Sequence, residues 1–249
     1  MTETPPRAAA GSVSRDDGAT IAYDAVPRAD GVTGPGIVFL HGLMSDRGGD
    51  KALRVEAFCR TRGLPGLRFD YFGHGESSGA FTDGTIGRWA EDAVAVIDEL
   101  TEGPQILVGS SLGGWIMLLA ARHRPDRIAA LVGLASAADF TEDVVPAVFS
   151  SEQLAAMERD GRVDIPSDYG EEPYTFTQHL LDEGRDHLLL RGPIPIKAPV
   201  RLIHGMRDPD VPWETSMRIR EHLESDDVEV ILVKNGDHRL SEPDRKSVV

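Results

Sequence analysis

The sequence predicts an α/β fold built on a mostly parallel, doubly wound sheet. Three observations lead there. Short, continuous apolar runs recur along the chain, among them "GIVFLHG", "QILVG", "VRLIHG" and "VEVILVK", as strands buried on both faces require. Stretches with helical apolar spacing separate them, and strand–helix alternation is the pattern of a parallel sheet with crossovers. Glycine-rich turns follow several runs directly, in "LHGLMSD", "DYFGHGESSG" and "VGSSLGG".

Taken in order, "SVSRDDGATIAYDAV" over 12–26 predicts a hairpin turning at Asp-Asp-Gly. A strand over 36–42, a helix over 50–62 and a strand over 66–73 follow. In the helix, Val55, Phe58 and Cys59 fall at i, i+3, i+4 and form its expected buried face. Residues 86–100 place Ile86, Trp89, Ala93, Val94, Ile97 and Leu100 on one side of an amphipathic helix. "QILVG" is the next strand and "LGGWIMLLAARH" the next helix, stopped at Pro125. Strands over 127–136, 200–205 and 228–234 complete the sheet. Residues 139–197 interrupt the alternation with two helical stretches, "SEQLAAMERDG" and "TFTQHLLDEGRDHLL", and many prolines and acids. An insertion of that length predicts a helical lid on a single domain spanning 1–249.

The formal net charge of −15 excludes partners that need a basic face, nucleic acid and anionic membrane surfaces among them. The single cysteine, Cys59, allows no internal disulfide and fits a reducing compartment. The first residues carry neither an apolar signal core nor an Arg-rich amphipathic segment, and no run approaches membrane-spanning length, so the expected location is cytoplasmic. The residues after His238, "RLSEPDRKSVV", are polar.

"ILVGSSLGGW" holds two serines, Ser110 and Ser111. Only Ser111 has glycines two before and two after it, Gly109 and Gly113; Ser110 would need them at Val108 and Leu112. A strand that turns into a helix within about one residue leaves room only for small side chains at those positions and exposes the residue between them as a nucleophile. Ser111 then needs a base, and the base an orienting acid, following in the order acid, histidine. His123, His179, His187 and His222 lie in helical stretches, and His204 lies inside a strand as a packed histidine. His238 alone stands in the loop after the last strand, beside the turn-forming Gly236. "RLIHGMRDPDVPW" offers Asp208 and Asp210 as the acid; Asp208, nearer the carboxyl end of its strand, is preferred, and Asp237, adjacent to His238, is a poor orienting group. The oxyanion donors expected are the backbone N–H groups of Leu112 and of Leu43, after His41 and Gly42. Asp70, His74, Glu76 and Ser77 are expected to shape their loop. No histidine pair has zinc-ligand spacing, and no metal or cofactor is expected.

"FLHG", "RFDYFGHGESSG", "ILVGSSLGGW", "RLIHGMRDPDVPW" and "GDHR" resemble the α/β-hydrolase fold. "DKALRVEAFC", "GPQILVGSSLGGW", "IPIKAPVRLIHGM" and "VPWETSM" resemble one branch of it, the mitochondrial palmitoyl-protein thioesterases and mycophenolic acid acyl-glucuronide esterases, over about residues 36–240. The resemblance implies Ser111, Asp208 and His238 as triad and hydrolysis of carboxylic esters or S-acyl thioesters, on small molecules or acylated proteins. The other readings are an aminopeptidase, with lid acids Glu171, Glu172, Asp182 and Glu183 for a substrate amine, a C–C bond hydrolase, and a binding protein without activity.

Overall fold

The structure is a computed structural model and describes residues 9–166 and 173–240. The apolar runs become strands of one eight-stranded sheet. In chain order the elements are β1 (Ala9–Ser14), β2 (Thr20–Val26), β3 (Gly36–Leu40), α1 (Asp50–Arg62), β4 (Gly66–Phe69), α2 (Ile86–Leu100), β5 (Gln105–Ser110), α3 (Leu112–His123) and β6 (Ile128–Leu134). Then come α4 (Phe140–Asp143), α5 (Val145–Val148), α6 (Ser151–Asp160), β7 (Arg162–Ile165), β8 (Tyr174–Thr177), α7 (Gln178–Gly184), β9 (Val200–Gly205), α8 (Glu214–His222) and β10 (Val228–Val233). The sheet order is β1-β2-β4-β3-β5-β6-β9-β10. The hairpin β1–β2 and the pairing of β2 with β4 are antiparallel; every other pairing is parallel.

β3 is buried at all five positions and β5 at all but one, because helices cover both faces of the sheet. The larger core cluster joins α2 and α3 to one face through Trp89, Ile97, Trp115, Ile116 and Leu119, among others. The smaller one lies under α1 on the other face, around Phe39, Cys59, Val108 and Ile203. Two local expectations change. Phe58 is 45% exposed; it packs under the Arg62 guanidinium, 4.9 Å from the ring centre, and leaves the helix seam to Ala52 and Cys59. The strand predicted over 66–73 ends at Phe69, where Asp70 turns the chain into the glycine-rich loop.

Asp92 is a buried acid on the apolar face of α2. It accepts the Phe72 N–H at 2.9 Å, with Arg15 and Arg88 each 3.4 Å away. Burial pushes its carboxyl up to about 6.

The interval after β6 holds α4 to α7 and a separate two-stranded sheet, β7 with β8. "TFT", expected as helix, is strand: Val163 and Phe176 pair across the hairpin, and β-branched and aromatic residues favour that geometry. The segment is seated on α3 by a run of edge-to-face rings, Trp115 to Phe140, Phe140 to Phe176 and Phe176 to Phe149. Asp139 anchors its return, accepting the Leu189 and Leu190 N–H groups at 2.8 Å each.

The junction of β5 and α3 has no connecting loop beyond Ser111 itself, whose backbone stands at φ 55°, ψ −120°. A Cβ on Gly109 would collide with the Gly113 carbonyl, and one on Gly113 with the Leu40 and His41 carbonyls. Those obstacles are backbone, which cannot rotate away. Gly113→Ala is therefore expected to cost about 1–3 kcal/mol or more in urea unfolding. Gly192→Ala, whose added methyl meets open space, should stay within about 0.5 kcal/mol of the parent. Equal effects of the two would contradict the steric account of the glycine pair.

Candidate active site

Four loops meet at the carboxyl edge of the sheet. Ser111 is fixed by its backbone: its N–H donates to the Leu134 carbonyl at 2.9 Å, and its own carbonyl accepts from Gly114 and Ala137 at 2.9 and 3.0 Å. The turn after β9 supplies Asp208, whose side chain is fully buried. The turn after β10 supplies His238. The two turns pack backbone to backbone: Arg207 N–H donates to the Gly236 carbonyl at 2.9 Å, and Gly205 has no room for a Cβ beside the carbonyls of Gly236 and Asp237. Beyond the histidine, the buried Leu240 returns the chain to the core, and its N–H donates to Asp237 Oδ1 at 2.8 Å. Asp237 thus shapes the loop.

The side chains so placed form one hydrogen-bonded line. His238 Nε2 is 3.0 Å from Ser111 Oγ, and His238 Nδ1 is 2.7 Å from Asp208 Oδ2. Asp208 Oδ1 accepts the Asp210 and Val211 N–H groups at 2.9 Å each. Burial alone would raise the Asp208 carboxyl. Hydrogen bonds from His204 and His238, the His238 charge and the Val211 N–H outweigh burial and hold it well below the usual carboxylate range. It is a fixed anion at neutral pH. Asp210 is exposed, and its backbone N–H serves the Asp208 carboxylate. Asp208, Asp210 and His238 are close enough to suggest metal ligands, but His238 Nδ1 and Asp208 Oδ2 are engaged with each other.

Gly42 runs beside the serine: a Cβ built on it would lie 3.5 Å from Ser111 Cβ. Leu112 opens α3, so its N–H belongs to the unpaired first turn. The loop carrying Leu43 is tied down on both sides. Met44, at φ 51°, donates its N–H to His74 Nε2 at 3.3 Å. Arg47 donates its N–H to Asp70 and its guanidinium to Asp24, Asp70 and Glu76. Asp70 also accepts the Glu76 N–H at 2.9 Å, and Ser77 Oγ donates to the Asp70 carbonyl at 2.7 Å. The four residues of the glycine-rich loop therefore serve its shape. Met44 makes a further contact no sequence pattern announced: its Sδ accepts the Thr175 N–H from β8 at 3.3 Å.

Two buried histidines support this loop. His41 donates Nδ1–H to the Gly42 carbonyl at 2.8 Å, and His74 donates to the Phe72 carbonyl at 3.2 Å. Each uses Nε2 as an acceptor of a backbone N–H, from Tyr71 and Met44 respectively, so both rings are neutral. Burial lowers His41 to about 4; burial and the neighbouring His41 lower His74 to about 3. The remaining histidines stand apart from Ser111. His187 Nε2 contacts Glu183 at 2.7 Å and His222 Nδ1 the Arg218 carbonyl at 2.8 Å. Cys59 is fully buried, and burial pushes its thiol up to about 11, which removes it as a competing nucleophile.

Of the acids that would favour a peptidase, Glu171 and Glu172 lie outside the described residues. Glu183 accepts the Gly87 N–H at 3.0 Å, and Asp182 pairs with Gln178 and Arg185 at 2.8 and 2.6 Å. Both carboxylates are engaged in holding α7.

A strand–serine–helix elbow, a histidine after the last strand and an acid after the strand beside it define a serine hydrolase of the α/β type. The sequence profile of the alpha/beta hydrolase fold matches residues 35–164. The chain belongs to that family. It is 45% identical over 236 residues to the mitochondrial palmitoyl-protein thioesterase ABHD10 of Bos taurus, covering 92% of this chain and 74% of that one. The structure of mouse alpha/beta hydrolase domain-containing protein 10 superposes with a TM-score of 0.85 at 40% identity, over 95% of this chain and 93% of that one. A crystal structure from Agrobacterium vitis S4 superposes with a TM-score of 0.90 at 38% identity, over 97% and 95%.

These relatives correct the expected cytoplasmic location, because the ABHD10 proteins carry a mitochondrial designation. A single cysteine distinguishes reducing from oxidising compartments; it does not separate one reducing compartment from another. No helix among the described residues is long and apolar enough to cross a membrane.

The neutral buried histidines make stability depend on pH. Their folded values lie below the unfolded value of 6.5, so the stability they contribute is fully present above pH 6.5. It is lost as pH falls through about 4 for His41 and about 3 for His74. Urea unfolding of the parent should weaken steeply between pH 6 and pH 4. In His74→Phe the slope should be smaller by about 1.4 kcal/mol per pH unit. An unchanged slope would show that His74 is not a neutral buried group.

Proposed function

We propose that the protein hydrolyses S-acyl thioesters and carboxylic esters through an acyl-enzyme on Ser111. The observation that carries this is the continuous line Ser111 Oγ, His238, Asp208, at 3.0 and 2.7 Å. Ser111 Oγ attacks the acyl carbonyl and gives its proton to His238 Nε2. The carbonyl oxygen becomes an oxyanion, met by the N–H groups of Leu43 and Leu112. The intermediate collapses, the C–S or C–O bond breaks, and His238 returns the proton to the departing thiol or alcohol. A water then attacks the acyl-serine with His238 again as base, releasing the carboxylic acid and restoring the serine hydroxyl. Asp208 keeps the Nδ1–H tautomer and stabilises the imidazolium formed in each half-reaction. No step calls for a metal or cofactor.

Residues 139–197 act as the lid of a single domain and shape the acyl site. Met44, in the loop that carries Leu43, is held by its N–H on His74 and by its Sδ on the lid strand β8, so lid position and oxyanion geometry share one residue. The names of the relatives favour a long-chain S-acyl protein substrate and a mitochondrial setting.

Fluorophosphonate labelling followed by peptide mapping should place the adduct on Ser111. Ser111→Ala should lower turnover of an S-palmitoyl peptide thioester and of p-nitrophenyl esters by about 10³-fold or more, while Ser110→Ala retains most of it. A label on Ser110, or equal losses in the two variants, contradicts the assignment. Hydrolysis of an aminoacyl amide in preference to every ester and thioester would contradict the substrate class.

A further inference from the structure

The acid of the triad has a second histidine. His204, in β9 four residues before Asp208, is completely buried, as is Ser216 on α8. His204 Nε2 lies 3.2 Å from Asp208 Oδ2, the oxygen that accepts from His238, and 3.1 Å from the Val211 carbonyl. Both neighbours of Nε2 are acceptors, so Nε2 carries a proton. His204 Nδ1 lies 2.7 Å from Ser216 Oγ, whose hydroxyl can donate to it and fix that tautomer. The order Ser216, His204, Asp208, His238, Ser111 is one unbroken chain across the sheet edge, with its first three members closed to solvent.

We propose that His204, locked by Ser216, is a positioning residue for the triad: its Nε2–H holds the Asp208 carboxylate in the rotamer that faces His238 and draws part of the negative charge away from that histidine. The inference rests on the triad reading above and adds a control on the strength of its base. With the His204 donor in place, the Asp208 oxygen is shared between two donors. Without it, the full charge falls on His238, the imidazolium is stabilised more strongly, and the base is released only at higher pH. Two other charged groups lie near the acid: Asp210 in its own turn, and Lys51 from α1, whose ammonium also feels Asp50, Asp237 and Arg239. They are the same in every variant below.

The two amide side chains separate donor geometry from bulk. Asparagine at 204 brings its amide only to the level of Nδ1 and withdraws the donor from Asp208. Glutamine reaches the level of Nε2 and retains it. The experiment is the pH profile of kcat/KM on a p-nitrophenyl ester for the parent, His204→Asn, His204→Gln and Ser216→Ala, with fluorophosphonate labelling of each. In His204→Asn the acid limb should rise by about half to one pH unit, with kcat lowered and KM little changed. Ser216→Ala should move it the same way by less, and His204→Gln should bring it back toward the parent position. An acid limb that stays put in both His204→Asn and Ser216→Ala overturns the proposal, whatever the loss of rate, because packing damage alone lowers kcat without moving the limb. If His204→Asn does not fold, the shift or constancy of the limb in Ser216→Ala decides. A parent that fails to label at Ser111 refutes the triad reading itself; a labelled parent with an unmoved limb refutes only the role of His204.

Discussion

The backbone squeeze at Ser111 is the constraint on which the rest depends. β5 and α3 are joined by one residue, and that residue sits at φ 55°, ψ −120°, a conformation that a non-glycine side chain adopts at a cost. The cost is tolerable because the surroundings leave no alternative. Gly109 lies against the Gly113 carbonyl, Gly113 against the end of β3, and Gly114 against Ser136. The same close approach that strains the serine brings the turn after β3 to its side, where a Cβ on Gly42 would just touch Ser111 Cβ. The positions of Ser111 and of the loop that carries Leu43 are thus two consequences of one contact between strand ends.

From there the site is built outward by buried polar groups with complete partners. Asp208 is satisfied on both oxygens, and His41 and His74 on both ring nitrogens. Buried polar groups of this kind are costly unless fully paired, and when paired they fix geometry more sharply than apolar contacts do. The placement is consistent: a buried network on each flank of the serine, one holding Asp208 and His238, the other holding the loop that carries Leu43.

Much of this was legible in the sequence, for physical reasons that differ by element. The parallel strands were visible because burial on both faces writes continuous apolar runs. α2 was visible because burial on one face writes a 3.6-residue period. Ser111 was separable from Ser110 because a steric requirement acts at fixed offsets of two residues. Phe58 escaped because periodicity assigns a face but does not show whether another element covers it. "TFT" escaped because a short β pairing with a distant partner overrode helical context. His204 could be read as packed, and it is, but its bond to the acid depends on how the turn after β9 folds back, which spacing alone does not give. The one available hint was the i, i+4 separation of His204 and Asp208. The cytoplasmic expectation fails because neither the single cysteine nor the character of the first residues distinguishes one reducing compartment from another.

The central claim is that the acyl group passes through Ser111. Rapid mixing with an S-palmitoyl peptide thioester, acid quench within the first turnover and peptide mass mapping test it most directly. The account predicts a transient palmitoyl adduct on the peptide containing Ser111, absent in Ser111→Ala. Turnover without any acyl adduct on the parent, or an adduct on Ser110 or on the buried Cys59, would contradict it.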